Sequence, residues 1–321
     1  MNYIYLFYQL PIIYAVETTL HCLIAAIVVE WILIYWNITN PRWRQSFLSL
    51  VIILPPLTFF LYLIIDPEHY LYNYTNKYIF QSYYWIYLKI GSFYPIALFI
   101  LLIFFITIFF FVFQEIFPLI THYLKSKNES ISEVSQNFLH TKDIINALPM
   151  HNNYRLTIID DEDYLVYSNT NKINNIYISK GVIEALDPEE LKGIILHEIA
   201  HLERNKKNYI FILYILRIIS FFNPIILYEF RRLLQEEEKV CDFLSAEKLQ
   251  NKKTLARALY KLYIKERINL VKEANFKEYT AYYAIRKRIN ALRTNRIDNN
   301  NYYTLLITAT ILIIIINYFI V

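Results

Sequence analysis

A 321-residue chain that is 56% hydrophobic, with a formal net charge of only +4, is too apolar for an ordinary soluble protein and too weakly basic for a nucleic-acid partner. Its mean hydropathy of +0.28 comes from clustered apolar runs, the pattern of a membrane protein. Its two cysteines, Cys22 in an apolar stretch and Cys241 in a charged one, imply no disulfide framework.

Residues 3–36 are mostly apolar, and the best spanning segment is Thr18–Trp36, with Glu30 inside it. No small-residue cleavage site follows a short apolar core, so this segment reads as a retained helix. Glu17 and His21, one helical turn apart at its outer end, read as residues near the membrane interface. Phe47–Ile65 is a second span, and Pro55-Pro56 inside it predicts a kink. A Tyr-rich connector over 66–92 leads to Ile96–Phe113, an unbroken apolar run and the third span. Thr304–Val321 is the fourth.

Charge orients these spans. Residues 119–302 hold 28 of the 32 Lys and Arg, many close to apolar segments, and cytoplasmic loops carry such an excess. The expectation is a multi-pass protein of the cell membrane, with both termini outside and the segment 119–302 in the cytoplasm. The domains are then 1–118 with three transmembrane helices, 119–302, and a last helix at 303–321. Within 119–302, Ser130-x-x-Glu133 predicts a helix start that ends before Pro149. Tyr154–Ile159, Tyr164–Tyr167 and Ile176–Ser179 read as strands between Asp- and Asn-rich turns. The fold class is therefore an α+β membrane protein of about four transmembrane helices, with a mixed cytoplasmic domain between the third and fourth.

The chemistry lies in Leu191–Asn205, which contains His197-Glu198-Ile199-Ala200-His201, the HExxH pattern. Asp187 is a good N-cap, Pro188 suits the first helical position, and Glu189 and Glu190 complement the helix dipole. On the resulting helix His197 and His201 share a face, so both imidazoles can converge on one Zn²⁺. Glu198 can reach a water held there and take its proton.

A third protein ligand is still needed, and no histidine follows His201. Residues 209–228 are apolar, but a full crossing would carry the chain away from His197. Tyr209–Phe222 makes only about 21 Å of helix against a ~30 Å hydrocarbon core. An interfacial or re-entrant segment, or a buried core helix, is expected. Beyond it, Glu236, Glu237 and Glu238 are adjacent, and at least two of them read as solvated surface residues. Glu238 stands apart because Asp242 follows one helical turn later, giving a ligand carboxylate with a second one to orient a ligand imidazole. Cys241 reads as a buried structural residue.

The HExxH helix, then Phe222-Asn223-Pro224, then Glu238-Lys239-Val240-Cys241-Asp242 resembles the BlaR/MecR family of membrane metallopeptidases. Arg286-Lys287-Arg288-Ile289 with Leu292 looks like that family's basic Arg-Ile stretch, and the arrangement of spans fits as well. The resemblance implies a gluzincin-like zinc domain. His197, His201 and Glu238 would be the zinc ligands, Glu198 the catalytic acid/base and Asp242 a supporting residue. Family members that sense β-lactams carry a penicillin-binding domain after the fourth span. This sequence stops at Val321, so the sensing role is not carried over.

The function expected is zinc-dependent endopeptidase activity in signal transduction or regulated proteolysis. A quality-control protease of the HtpX type is an alternative, disfavoured by the count of spans. A non-catalytic receptor or scaffold is another, disfavoured by the intact Glu198. A peptide substrate is expected to add to an exposed strand formed by Asn174, Asn175, Ile176, Tyr177, Ile178 and Ser179. The partners implied are a polypeptide substrate such as a cytoplasmic repressor, the lipid bilayer, and a second copy in a homodimer.

Overall fold

The chain is mostly helical, with one small sheet. The computed structural model describes residues 3–65, 88–113, 117, 154–170, 174–265, 276–294 and 300–319. The helix expected from the Ser130–Glu133 capping box, and residues 66–87 of the connector, lie outside them. In chain order the elements are α1 (Tyr3–Tyr35), α2 (Pro41–Ile65), α3 (Pro95–Phe111), β1 (Tyr154–Ile159), β2 (Val166–Thr170), β3 (Asn174–Ser179), α4 (Lys180–Ala185), α5 (Pro188–Arg204), α6 (Lys207–Ile219), α7 (Pro224–Leu249), α8 (Lys252–Tyr260), α9 (Phe276–Thr294) and α10 (Tyr303–Phe319). A π-helical turn, Lys261–Lys265, follows α8.

Two units divide the chain. The first comprises 1–128, 208–234 and 298–321, the second 129–207 and 235–297. Residues 208–234, which contain the apolar segment expected within 119–302 to be interfacial, re-entrant or a buried core helix, group with the apolar helices. The reason is burial: Leu213, Ile226, Phe230 and Leu233 share a core with Cys22, Val29, Phe47, Val51 and Ile313.

In the first unit, α1 over Ile13–Tyr35 and α2 are long and apolar enough to cross a membrane, and α10 is a shorter apolar helix. Helix α2 continues through Pro55-Pro56. Pro55 has no N–H to offer the Val51 carbonyl one turn back. The Cys22 thiol of α1 supplies a donor to that carbonyl at 3.7 Å, so a neighbouring helix satisfies the group that proline frees. Glu17 and His21 are fully buried.

Asn223 gives the Phe-Asn-Pro step a mechanical meaning. Its Oδ1 accepts from the Ile225 and Ile226 N–H groups (3.0 and 3.4 Å), capping α7, while Pro224 occupies the first helical position. Its Nδ2 donates to the Thr18 carbonyl of α1 at 3.4 Å. Helix α6, with 13 residues, is about 20 Å long and too short for a span.

The second unit has a three-stranded sheet in the order β1-β3-β2. Strand β3 pairs parallel with β1 and antiparallel with β2. Ile176 and Ile178 of β3 enter a core with Ile194, Ile195 and Ile199 of α5, Phe243 of α7, Leu255 and Leu259 of α8, and Ile289 and Leu292 of α9. The expected strand at Tyr164–Tyr167 lies slightly later, at Val166–Thr170.

Candidate metal centre

Helix α5 begins as its sequence predicts. The Asp187 carboxylate accepts from the Glu190 N–H (2.9 Å), and the Glu190 carboxylate accepts from the Asp187 N–H (3.2 Å), with Pro188 at N1. This reciprocal cap fixes where the first turn starts, and hence which face presents His197 and His201. Asn205, in the left-handed region at φ 43°, ends the helix.

Three side chains from α5 and α7 converge. His201 Nε2 lies 3.2 Å from His197 Nε2. The Glu238 oxygens lie 3.5 Å from His197 Nε2 and 3.5 Å from His201 Nε2. A tetrahedral ion with Zn–N and Zn–O bonds of about 2.0–2.1 Å holds its ligand atoms roughly 3.3–3.4 Å apart. The observed triangle fits that spacing. Glu198 lines the same cavity, of about 280 Å³, with His197, His201, Glu238, Val166, Tyr167, Ser168, Ile194, Leu259, Tyr263 and Arg288.

Asp242, one turn beyond Glu238, is buried and meets His197 Nδ1 at 3.1 Å. It thereby faces the ring edge opposite the Nε2 that converges with Glu238. Arg288 of α9 then joins the two carboxylates. Its Nε and Nη2 donate to the Asp242 oxygens at 2.8 and 2.7 Å, and Nη1 lies 2.9 Å from Glu238 Oε2. In the sequence the basic stretch around Arg288 stands out, but nothing local assigns Arg288 to the site; once Asp242 is buried, its charge calls for a cationic partner, and Arg288 supplies it.

These contacts set the protonation states of the metal-free centre. Burial acts against a charged His197, but its hydrogen bonds to Asp242 and Glu238 prevail and raise it to about 9. Burial would raise Glu238, but the His197 hydrogen bond and the Arg288 charge hold it at about 2. Asp242 is held well below the usual carboxylate range, the Arg288 charge outweighing burial. His201 is lowered by burial and by His197. Burial, then Glu237 and Glu238, push the Cys241 thiol up, so it remains S–H.

The other two glutamates of the run are not solvated, contrary to the sequence expectation. Glu236 and Glu237 are buried. Glu236 pairs with Lys239 at 2.7 Å, and Glu237 receives Arg204 Nε and Nη2 at 2.7 and 2.8 Å. Glu237 also lies with His201 and Cys241 in a second metal-like cluster, but Arg204 engages both its oxygens.

The substrate strand needs a correction. Asn174, Asn175, Ile176, Tyr177, Ile178 and Ser179 form β3, which is paired on both sides, so no peptide can add to it. The strand beside the cavity is β2, and among the described residues its other edge has no partner strand. The Ser179 N–H donates to the Leu165 carbonyl (3.0 Å), which fixes the ladder's phase. By the antiparallel alternation, Tyr167 and Asn169 bond to β3, while the backbone groups of Val166 and Ser168 face the open edge.

Residues 92–292 match the family model described as BlaR1 peptidase M56. The chain belongs to this family. Among solved structures, Ste24p of S. mikatae matches at 16% identity with a TM-score of 0.35, over 77% of this chain and 64% of that one. The chain thus spans about 64% of the length of Ste24p. No curated protein matches it. In this M56 chain, two of the described helices are long and apolar enough to cross a membrane, and His197, His201 and Glu238 form a cluster that could hold a metal ion.

Proposed function

We propose that the protein is a membrane-embedded zinc endopeptidase acting in regulated proteolysis or signal transduction, cutting a polypeptide such as a cytoplasmic repressor, or itself. The observation that carries this reading is the 3.2–3.5 Å triangle of His197 Nε2, His201 Nε2 and a Glu238 carboxylate, with Glu198 on the same cavity. His197, His201 and Glu238 would hold one Zn²⁺. When bound, that ion supplies Lewis acidity, polarising the scissile carbonyl and lowering the pKa of a water molecule toward ~7. Glu198 takes a proton from the attacking water and returns it to the leaving amine. Asp242 and Arg288 keep His197 and Glu238 in place. The peptide lies along the open edge of β2, pairing with Val166 and Ser168.

The topology that accompanies this reading has α1, α2, α3 and α10 as four spans, both termini outside, and the centre in the cytoplasm. The 28 Lys and Arg within 119–302 support it. A homodimer is the assembly proposed.

Metal analysis and proteolysis of the detergent-purified chain test the proposal. Glu198→Ala should keep one zinc per chain and lose cleavage, and Glu238→Ala should lose the zinc. Normal zinc content in Glu238→Ala would remove Glu238 from the ligand set. Cleavage undiminished in Glu198→Ala would end the mechanism.

A further inference from the structure

The two histidines of the centre meet chemically different partners at Nδ1. Nδ1 of His197 meets a carboxylate, Asp242, itself clasped by Arg288. Nδ1 of His201 meets a thiol: Cys241 Sγ lies 3.4 Å away. The Nε2 of His201 faces Glu238 and His197. A neutral imidazole that ligates through Nε2 carries its proton on Nδ1. That N–H is therefore aimed at sulfur.

The sulfur is not an isolated contact. Cys241 Sγ donates toward Glu237 Oε1 at 4.0 Å, and Glu237 is gripped through both oxygens by Arg204. His201 and Arg204 are three residues apart on α5, and Glu237 and Cys241 four apart on α7. Each pair therefore occupies one helical face. The four residues form a closed clasp between the two helices that carry the metal-binding side chains. Within it, Cys241 is the only member in contact with His201 Nδ1 among the hydrogen bonds of the described residues.

We propose that Cys241 is the positioning residue of His201: its sulfur accepts the Nδ1 proton, fixes the Nε2-ligating tautomer and holds the ring at the metal. This rests on the reading of His197, His201 and Glu238 as the ligand set. A packing role makes the opposite prediction. A buried free cysteine behaves as a small hydrophobe, so packing alone ranks Cys241→Val or Cys241→Ala above Cys241→Ser. Positioning ranks Cys241→Ser first, because a hydroxyl both accepts and donates, and the apolar variants lower, because the Nδ1 proton loses its acceptor.

The experiment is zinc affinity by chelator competition on the full-length chain, together with absorption of the cobalt-substituted protein. Losing a partner of a ligating histidine costs about 10–100-fold in metal affinity. That loss is expected in Cys241→Ala and Cys241→Val, with Cys241→Ser closer to the parent protein. His201→Ala is the control for the ligand set: unchanged affinity there overturns the metal reading itself. If His201→Ala loses the metal while Cys241→Val equals or exceeds Cys241→Ser, the metal reading stands and the role of Cys241 is packing. Thiolate-to-cobalt charge-transfer absorption that vanishes in Cys241→Ser would make the sulfur a ligand and overturn the proposal. Its absence, with the ranking Ser above Ala and Val, supports positioning.

Discussion

Arg288 and Asp242 form a two-point ion pair, Nε and Nη2 to the two carboxylate oxygens at 2.8 and 2.7 Å, with both residues buried. Taking away one member of a buried, hydrogen-bonded pair leaves the other charged and unpaired, which costs about 3–5 kcal/mol. Arg288→Met should lower the stability of the metal-free protein by about that amount in chemical denaturation. Arg288→Lys keeps the charge but not the fork, so its loss should be smaller. Equal stability for Arg288→Met and the parent would mean that the pair is not formed in solution.

Metal binding should release a proton. His197 is raised to about 9 without a metal, so below that pH an incoming ion must displace a proton from it. Zinc affinity is expected to rise with pH until about 9 and then level off. Calorimetry in buffers of different ionisation enthalpy should count close to one proton released near pH 7. Zero release would contradict the charged state assigned to His197.

The stability of the metal-free protein follows from the same groups. A raised histidine contributes stability that is fully present below its unfolded value and fades as pH climbs through about 9. The depressed Glu238 contributes above its unfolded value and fades as pH falls through about 2, and Asp242 does so in the same direction. Thermal melts with chelator present should therefore show a plateau between the unfolded carboxylate and histidine values. It should decline on the alkaline side through about pH 9 and on the acid side toward pH 2.

Proline substitution can separate the two edges of β2. Proline lacks an N–H but is tolerated where that group points away from the sheet. Ser168→Pro should fold and keep its zinc, yet raise KM for a peptide. Tyr167→Pro removes a donor from the ladder to β3 and should lower stability instead. If both variants behave alike in melting and in KM, the open edge of β2 is not the peptide's partner.

The Cys22 thiol and the Val51 carbonyl can be examined by a double-mutant cycle with Cys22→Ala and Pro55→Ala. Pro55→Ala returns an N–H to the Val51 carbonyl and makes the thiol redundant. The coupling expected is of the order of 0.6 kcal/mol, typical of hydrogen bonds between membrane helices. No coupling would mean that the thiol merely fills space.

Short-range periodicity made much of this centre legible in the sequence. The cap of α5 is a four-residue signature, and the pairs His197/His201 and Glu238/Asp242 are single helical turns. Glu198 needs only its place beside His197. The partners that tie these pieces together were harder to read. Glu236 and Glu237 looked solvated because a run of acids usually is; the buried pairings with Lys239 and Arg204 depend on how α5 and α7 meet.

Local rules of helix geometry, acting over one to four residues, allowed the sequence alone to place the HExxH helix, its cap, and the pairs His197/His201 and Glu238/Asp242 each on one helical face. Tertiary structure decided which strand is open and which groups orient the imidazoles. Alternation along a strand is the same whether it lies at an edge or in the middle, so β3 could be recognised as a strand but not as the central one. Asp242 and Arg288 are 46 residues apart, and His201 and Cys241 are 40 apart. Contacts at such separations exist only once the helices have packed.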